Sequence, residues 1–228
     1  MPAGAARRFW RLARASAPAR RRNVSSVYYD TTNERLRRSG VALRLRRDGK
    51  HWLQTLKLES APSAGFAARA EWEMAAPRGR LELAAFPRAE IMAATGLDLA
   101  KLEGRLQPLF ETRFVRRSAP VAIDGATRAE ICVDTGEIAA GERREPISEI
   151  EIELQAGKAT SLLRYAAGLA KALELELEFE SKAERGYRLA AGVAFPRPRK
   201  WRRPALGELA TPSEAFSEIG RASCRERV

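Results

Sequence analysis

Cysteine is nearly absent, with only Cys132 and Cys224 in 228 residues. Two thiols make neither a disulfide framework nor a structural zinc site, and they suit a reducing cytoplasm. Histidine is scarcer still: His51 stands alone, at the turn-proximal start of a strand, and is read as non-catalytic. No apolar run approaches the roughly 20 residues that cross a bilayer as a helix, so no membrane partner is expected. Glycine-rich phosphate loops are missing too, both the Walker type and the Rossmann fingerprint, so any phosphate must be held by side chains. Acid is missing from the front of the chain, where seven arginines in residues 1–23 precede the first acid, Asp30. That opening has the composition of an organellar targeting peptide. Ala5 to Leu12 also reads as an amphipathic helix that offers Phe9, Trp10 and Leu12 for packing, and the helix is the reading adopted.

What is abundant is positive charge. A net charge of +12 and a pI near 10.5 ask for an anionic partner, which is nucleic acid, an acidic surface or a small polyanion such as a nucleotide or polyphosphate. Hydrophobic residues make up 45% of the chain, enough for a sizeable core in one large domain.

Alternating strands organise the chain. Val41 to Lys57 reads as a hairpin closed at Asp48-Gly49, with Arg44 and Arg46 on one face and Leu43 and Leu45 on the other. Further strands are expected at Asn23–Asp30, Arg69–Met74, Leu109–Arg117, Arg128–Asp134, Ile147–Gln155 and Glu174–Phe179. Helices are expected at 33–39, with Asp30, Thr31 and Thr32 as caps and Gly40 as its stop, at 88–94, at 160–173 and in the SKAERGYRLAAG segment. Numerous strands joined by short loops and few helices give an α+β sheet or barrel.

The strands carry charge of one sign per face. Glu149, Glu151 and Glu153 line one face of a strand whose other face is Ile150, Ile152 and Leu154. Glu130 and Asp134 likewise oppose Ile131 and Val133. Rows of like charge repel unless cations oppose them. Either these are solvated outer faces, or they converge with the basic faces inside a barrel as an ionic tunnel for a charged ligand and a metal. Arginine forks and lysines suit phosphoryl oxygens, and carboxylates suit hard divalent cations. Tyr28, Tyr29 and Trp52 read as packing residues. No outward basic stripe with aromatic stacking positions stands out, so nucleic acid is not expected.

Five motifs in order then carry a resemblance: YYDT at Tyr28–Thr31, GVALRLRRDGKHWLQTLK at Gly40–Lys57, EWEM at Glu71–Met74, EIEIEL at Glu149–Leu154 and SKAERGY at Ser181–Tyr187. Over about residues 5–192 the chain resembles the CYTH domain of the triphosphate tunnel metalloenzymes, and more narrowly bacterial inorganic triphosphatases in which a CYTH domain precedes a helical CHAD domain. The resemblance implies an eight-stranded antiparallel barrel with flanking helices, and hydrolysis of inorganic triphosphate with Mg²⁺ or Mn²⁺. It implies phosphate binding by Arg44, Arg46, Lys57, Arg116, Lys182 and Arg185, with Arg113 as the alternative to Arg116. Glu130, Asp134, Glu149 and Glu151 become metal ligands, with Asp134, Glu149 and Glu151 also catalytic. Glu71 and Glu73 are further tunnel acids, and Glu153 is a weaker member. A non-catalytic polyphosphate-binding module, a thiamine or nucleoside triphosphatase and an adenylate-cyclase-type relative are the alternatives.

The chain departs from the family at both ends. The Glu-x-Glu-x-Lys strand with which the family opens is absent, so the barrel is expected without its first strand and with weakened activity. The domains read as a CYTH domain over 1–192, a Pro/Arg-rich linker over 193–205, the start of a CHAD-like helical domain over 206–218 and an adapter-derived tail over 219–228. A cytoplasmic location is expected from the scarcity of cysteine.

Overall fold

The hairpin forms where the Asp48-Gly49 pair predicts it, but its two turn residues are Gly49 and Lys50, and Asp48 is still paired as the last residue of its strand. β2 (Val41–Asp48) and β3 (His51–Leu58) pair antiparallel from Val41↔Leu58 to Asp48↔His51. Gly49 takes φ +62°, the left-handed conformation such a turn requires. The structure is a computed structural model that describes residues 3–58, 70–176, 178 and 180–193.

Around the hairpin lie β1 (Arg20–Thr31), β4 (Glu71–Ala75), β5 (Leu106–Ala122), β6 (Arg128–Ala140) and β7 (Arg143–Ala156). All pairings are antiparallel, in one seven-stranded sheet of order β4-β3-β2-β1-β5-β6-β7. An antiparallel sheet with flanking helices is the expected fold class, with seven strands among the described residues. Several strands run longer than their periodicity suggests. β6 continues past Gly136, where a Cβ would stand 2.1 Å from the Arg113 carbonyl oxygen of β5, so only glycine keeps the strands paired there.

The outer face is apolar and covered in two places. Under α2 (Arg35–Arg38), α3 (Arg88–Thr95) and two short 3-10 turns, Leu43, Leu56 and Trp72 of the sheet pack with Leu36, Ile91 and Leu99. Farther along, Ile131 and Val133 pack with Phe9 of α1 (Ala3–Ala13) and with Leu162 and Leu169 of α4 (Ala159–Leu173). α2 is shorter than the expected 33–39 and its N-cap is Glu34, left-handed at φ 51° and without a side-chain cap bond, yet Asp30 and Thr31 still satisfy the first amides. The Asp30 carboxylate accepts from the Leu36 and Arg37 amides at 2.9 and 3.0 Å, and Thr31 Oγ1 accepts from the Arg35 amide at 3.0 Å.

The inner face has its own lid. α5 (Lys182–Ala190) starts on a capping box in which Ser181 Oγ accepts from the Glu184 amide at 3.1 Å and Glu184 Oε2 accepts from the Ser181 amide at 2.7 Å. Its Ala183 and Tyr187 pack on Val24, Tyr28, Phe110 and Phe114, which all face inward. Tyr28 stacks on Phe110 with ring centroids 4.5 Å apart, a packing role as read from the sequence.

The Glu174–Phe179 strand is not seen among the described residues. Glu174 turns left-handed with φ 53° and ends α4, its amide donating to the Ala170 carbonyl, and residues 175, 176 and 178 follow without strand pairing. Positions 177 and 179, Arg69, the linker beyond 193, the CHAD-like segment and the tail lie outside the described residues. Among the described residues no helix is long and apolar enough to cross a membrane.

Candidate functional site

Strand parity decides which charges share the concave face. Across the sheet, Lys57 aligns with Glu71, Arg44 with Thr55 and Tyr28, and Arg116 with Asp134, which in turn faces Glu149. The sheet curls far enough for these rows to act on one another. Arg116 of β5 lies within electrostatic reach of Arg46 of β2, and Lys57 of β3 within reach of Glu153 of β7.

The basic side consists of Arg44, Arg46 and Lys57. Glu71 pairs with Arg44 at 3.1 Å and with Lys57 at 3.2 Å. Burial alone would raise the Glu71 carboxyl, but these two cations hold it below its ordinary value. Glu73 accepts from Thr55 Oγ1 at 3.2 Å. Arg46 differs from its neighbours. Its Nε donates to Ser26 Oγ at 3.2 Å, and among the described residues no carboxylate lies in ion-pair range of it. Burial, and then the like charges of Arg44 and Arg116, lower its pKa to about 10. Arg44 Nε and Thr112 Oγ1 are buried without a hydrogen-bond partner.

The acidic side is a triad. Oxygens of Asp134, Glu149 and Glu151 all lie within 4.8 Å of one another. Arg116 clamps Asp134 with two bonds, Nε to Oδ1 at 2.8 Å and Nη2 to Oδ2 at 2.7 Å, and also contacts Glu151 Oε2. Lys182 reaches in from α5, with Nζ 2.8 Å from Asp134 Oδ2, 2.7 Å from Glu151 Oε1 and in contact with Glu149 Oε1. Arg185 bonds Glu149 Oε2 at 2.9 Å and Glu145 Oε1 at 2.6 Å. For Glu151 burial opposes ionisation, yet Lys182 and Arg116 prevail and hold it at about 2. In Glu149 burial and the neighbouring Glu151 charge outweigh Lys182 and Arg185, and its carboxyl lies above the ordinary range.

The structure thus brings together Arg44, Arg46, Lys57, Glu71, Glu73, Arg116, Asp134, Glu149, Glu151, Lys182 and Arg185 on one concave face. Glu130 lies on the same face but opposite Glu153, outside the triad. Arg113 has the other parity, sits 63% exposed and pairs with Glu111, so Arg116 is the inward arginine. Glu145 and Arg188 were not singled out in the sequence. They are buried and joined at 2.8 Å, and Arg188 also holds Glu180 at 3.1 Å. Counting back by twos from Glu149 through Ile147 reaches Glu145, but Pro146 hides the alternation.

A set of three close carboxylates is the donor chemistry of a hard divalent cation. The fit is good on charge and on donor type, since a buried ammonium touching all three shows that the cradle already accommodates a cation.

Comparison with known proteins agrees with this arrangement. The chain is 29% identical over 173 residues to an inorganic triphosphatase of Haemophilus influenzae, a match taking in 74% of this chain and 46% of that protein. It therefore spans about half the length of that relative. In three dimensions it is similar to a Hippeastrum protein described as a candidate adenylyl cyclase with a dominant triphosphatase activity, at 17% identity and a TM-score of 0.57. That alignment covers 86% of this chain and 93% of the other, and at such identity it speaks for the tunnel fold alone. The CYTH domain profile matches residues 10–187, and this chain belongs to the CYTH family.

Proposed function

We propose that the chain hydrolyses inorganic triphosphate to pyrophosphate and phosphate with Mg²⁺ or Mn²⁺. The observation that carries this reading is the pair of opposed linings on one concave face, with half-buried Arg46 lacking an acidic partner in ion-pair range among the described residues and the Asp134–Glu149–Glu151 triad across from it. A guanidinium so placed is a site for an anion brought from outside. The name of the Haemophilus influenzae relative points to the same substrate.

Arg44, Arg46, Lys57 and Arg116 would neutralise the phosphoryl oxygens along the chain and hold it in line. Asp134, Glu149 and Glu151 would hold the divalent ion, which supplies Lewis-acid polarisation of the phosphoryl oxygens and activation of water. The same acidic side would orient the attacking water toward the phosphoryl group. The rest of the rate enhancement would come from positioning and charge stabilisation, as in other phosphoryl transfers.

The test is phosphate release from tripolyphosphate by the purified chain with Mg²⁺, with Mn²⁺ and with EDTA, beside ATP and thiamine triphosphate as competing substrates. Metal-dependent release with tripolyphosphate preferred supports the reading. Tripolyphosphate binding that survives EDTA without any turnover would replace it with a polyphosphate-binding module.

A further inference from the structure

We propose that Lys182 is the resident cation of the acidic triad, and that a divalent ion enters only as the Lys182 ammonium leaves. The lysine and the metal are alternative occupants of one cradle. This rests on the reading of Asp134, Glu149 and Glu151 as metal ligands.

The division of the oxygens carries the inference. Lys182 Nζ takes one oxygen from each member: Asp134 Oδ2 at 2.8 Å, Glu151 Oε1 at 2.7 Å and Glu149 Oε1 in contact. An ammonium has three donors, so this one is fully engaged. Every remaining oxygen is covered by a guanidinium. Arg116 holds Asp134 Oδ1 at 2.8 Å and also Glu151 Oε2, and Arg185 holds Glu149 Oε2 at 2.9 Å. A divalent ion drawing on all three carboxylates must therefore take the oxygens Lys182 holds. It cannot share them, because a dication and an ammonium bound to the same oxygens would repel at close range in a poorly hydrated site. Departure of Lys182 frees Glu149 Oε1 and Glu151 Oε1; Asp134 Oδ2 is also held by Arg116 Nη2 at 2.7 Å, so it opens to a metal only when that arm gives way while Arg116 Nε keeps Oδ1.

The sequence prepares Lys182 to leave. It is the first residue of α5, where the positive end of the helix dipole disfavours a cation unless acids oppose it. Its four-carbon stem can swing while the helix stays fixed by the Ser181–Glu184 capping box and the Tyr187 packing. A polyphosphate on the basic side offers the ammonium a new anionic partner, so substrate would strengthen metal binding by drawing the lysine out.

The experiment is Mn²⁺ titration of the 228-residue chain, with free Mn²⁺ read by electron paramagnetic resonance, in the native sequence, Lys182→Met and Asp134→Asn. Lys182→Met is expected to bind Mn²⁺ at least roughly tenfold more tightly, and its melting temperature to drop in EDTA and recover with Mn²⁺. Equal or weaker binding by Lys182→Met, with binding lost in Asp134→Asn, overturns the displacement and leaves the metal site standing. No Mn²⁺ binding by either the native chain or Lys182→Met overturns the metal reading and this inference with it. Should Lys182→Met not fold, the lysine ¹⁵Nζ resonances of the native chain under Mg²⁺ decide. A shifted Lys182 signal that loses its protection supports displacement, and an unmoved one refutes it.

Discussion

Gly186 lies so close to Phe110 that a Cβ added to it would stand 2.0 Å from Cε2 of the ring. The contact seats α5 on the concave face and sets the depth at which Lys182 and Arg185 meet the triad. Gly186→Ala is expected to lift the helix rather than be absorbed, since the facing atoms belong to a buried ring stacked on Tyr28. A loss of about 1–3 kcal/mol is the expected scale for overpacking. Thermal or chemical denaturation measures it, and an unchanged midpoint would show that the helix slides without cost.

Asp30 fastens α2 and α5 to one carboxylate. Besides capping α2 it accepts from Tyr187 Oη at 3.0 Å, and all of these groups are buried or half-buried. Asp30→Ala leaves two helix amides and a buried phenol unsatisfied, and is expected to destabilise the fold by about 2–4 kcal/mol. Tyr187→Phe removes one bond and is expected to lose about 1 kcal/mol. A double-mutant cycle is expected to be non-additive, and strict additivity would mean that the bond contributes nothing.

Arg46→Met separates binding from folding. Because Arg46 has no carboxylate partner among the described residues, its removal leaves no acid orphaned. Stability is expected to change by less than about 1 kcal/mol. Tripolyphosphate affinity, measured by calorimetry, is expected to fall about ten- to a hundredfold, the scale of one lost charge-assisted bond. Unaltered affinity would remove Arg46 from the phosphate-binding set.

The Glu151 carboxyl has a pH signature. Its pKa lies at about 2 in the fold, against 4.5 for a free glutamate, because Lys182 and Arg116 overcome the effect of burial. A depressed acid stabilises the fold above its unfolded pKa and loses that contribution as pH falls toward the folded one. Between pH 4.5 and 2, therefore, Glu151→Gln is expected to lose stability less steeply than the native chain. Denaturant midpoints across that interval test it, and parallel curves would show that the cations do not stabilise this carboxylate.

Much of this was legible in the sequence because strand parity is strict. Arg44 and Arg46, or Glu149 and Glu151, two residues apart, share a face whatever the rest of the chain does. The hairpin, the α2 caps and α4 were readable for similarly local reasons. Register between distant strands was not: only the pairing of Arg116 with Asp134 shows that Arg113 faces outward. Nor does parity say how deep α5 sits. That depends on a glycine meeting a ring about 75 residues away in the chain, and the lengths of β5 and β6 depend on partners rather than on their own composition.

β4 and β7 are the outermost strands of the sheet among the described residues, and both are rich in acids: Glu71 and Glu73 on one, Glu145, Glu149, Glu151 and Glu153 on the other. Two chains meeting edge to edge through β7 would set carboxylate against carboxylate, which protects against strand-swapped dimers and aggregates. Neutralising these acids to probe chemistry therefore also weakens the guard against self-association. Variants of β7 need their oligomeric state checked before any loss of activity is read as a lost ligand.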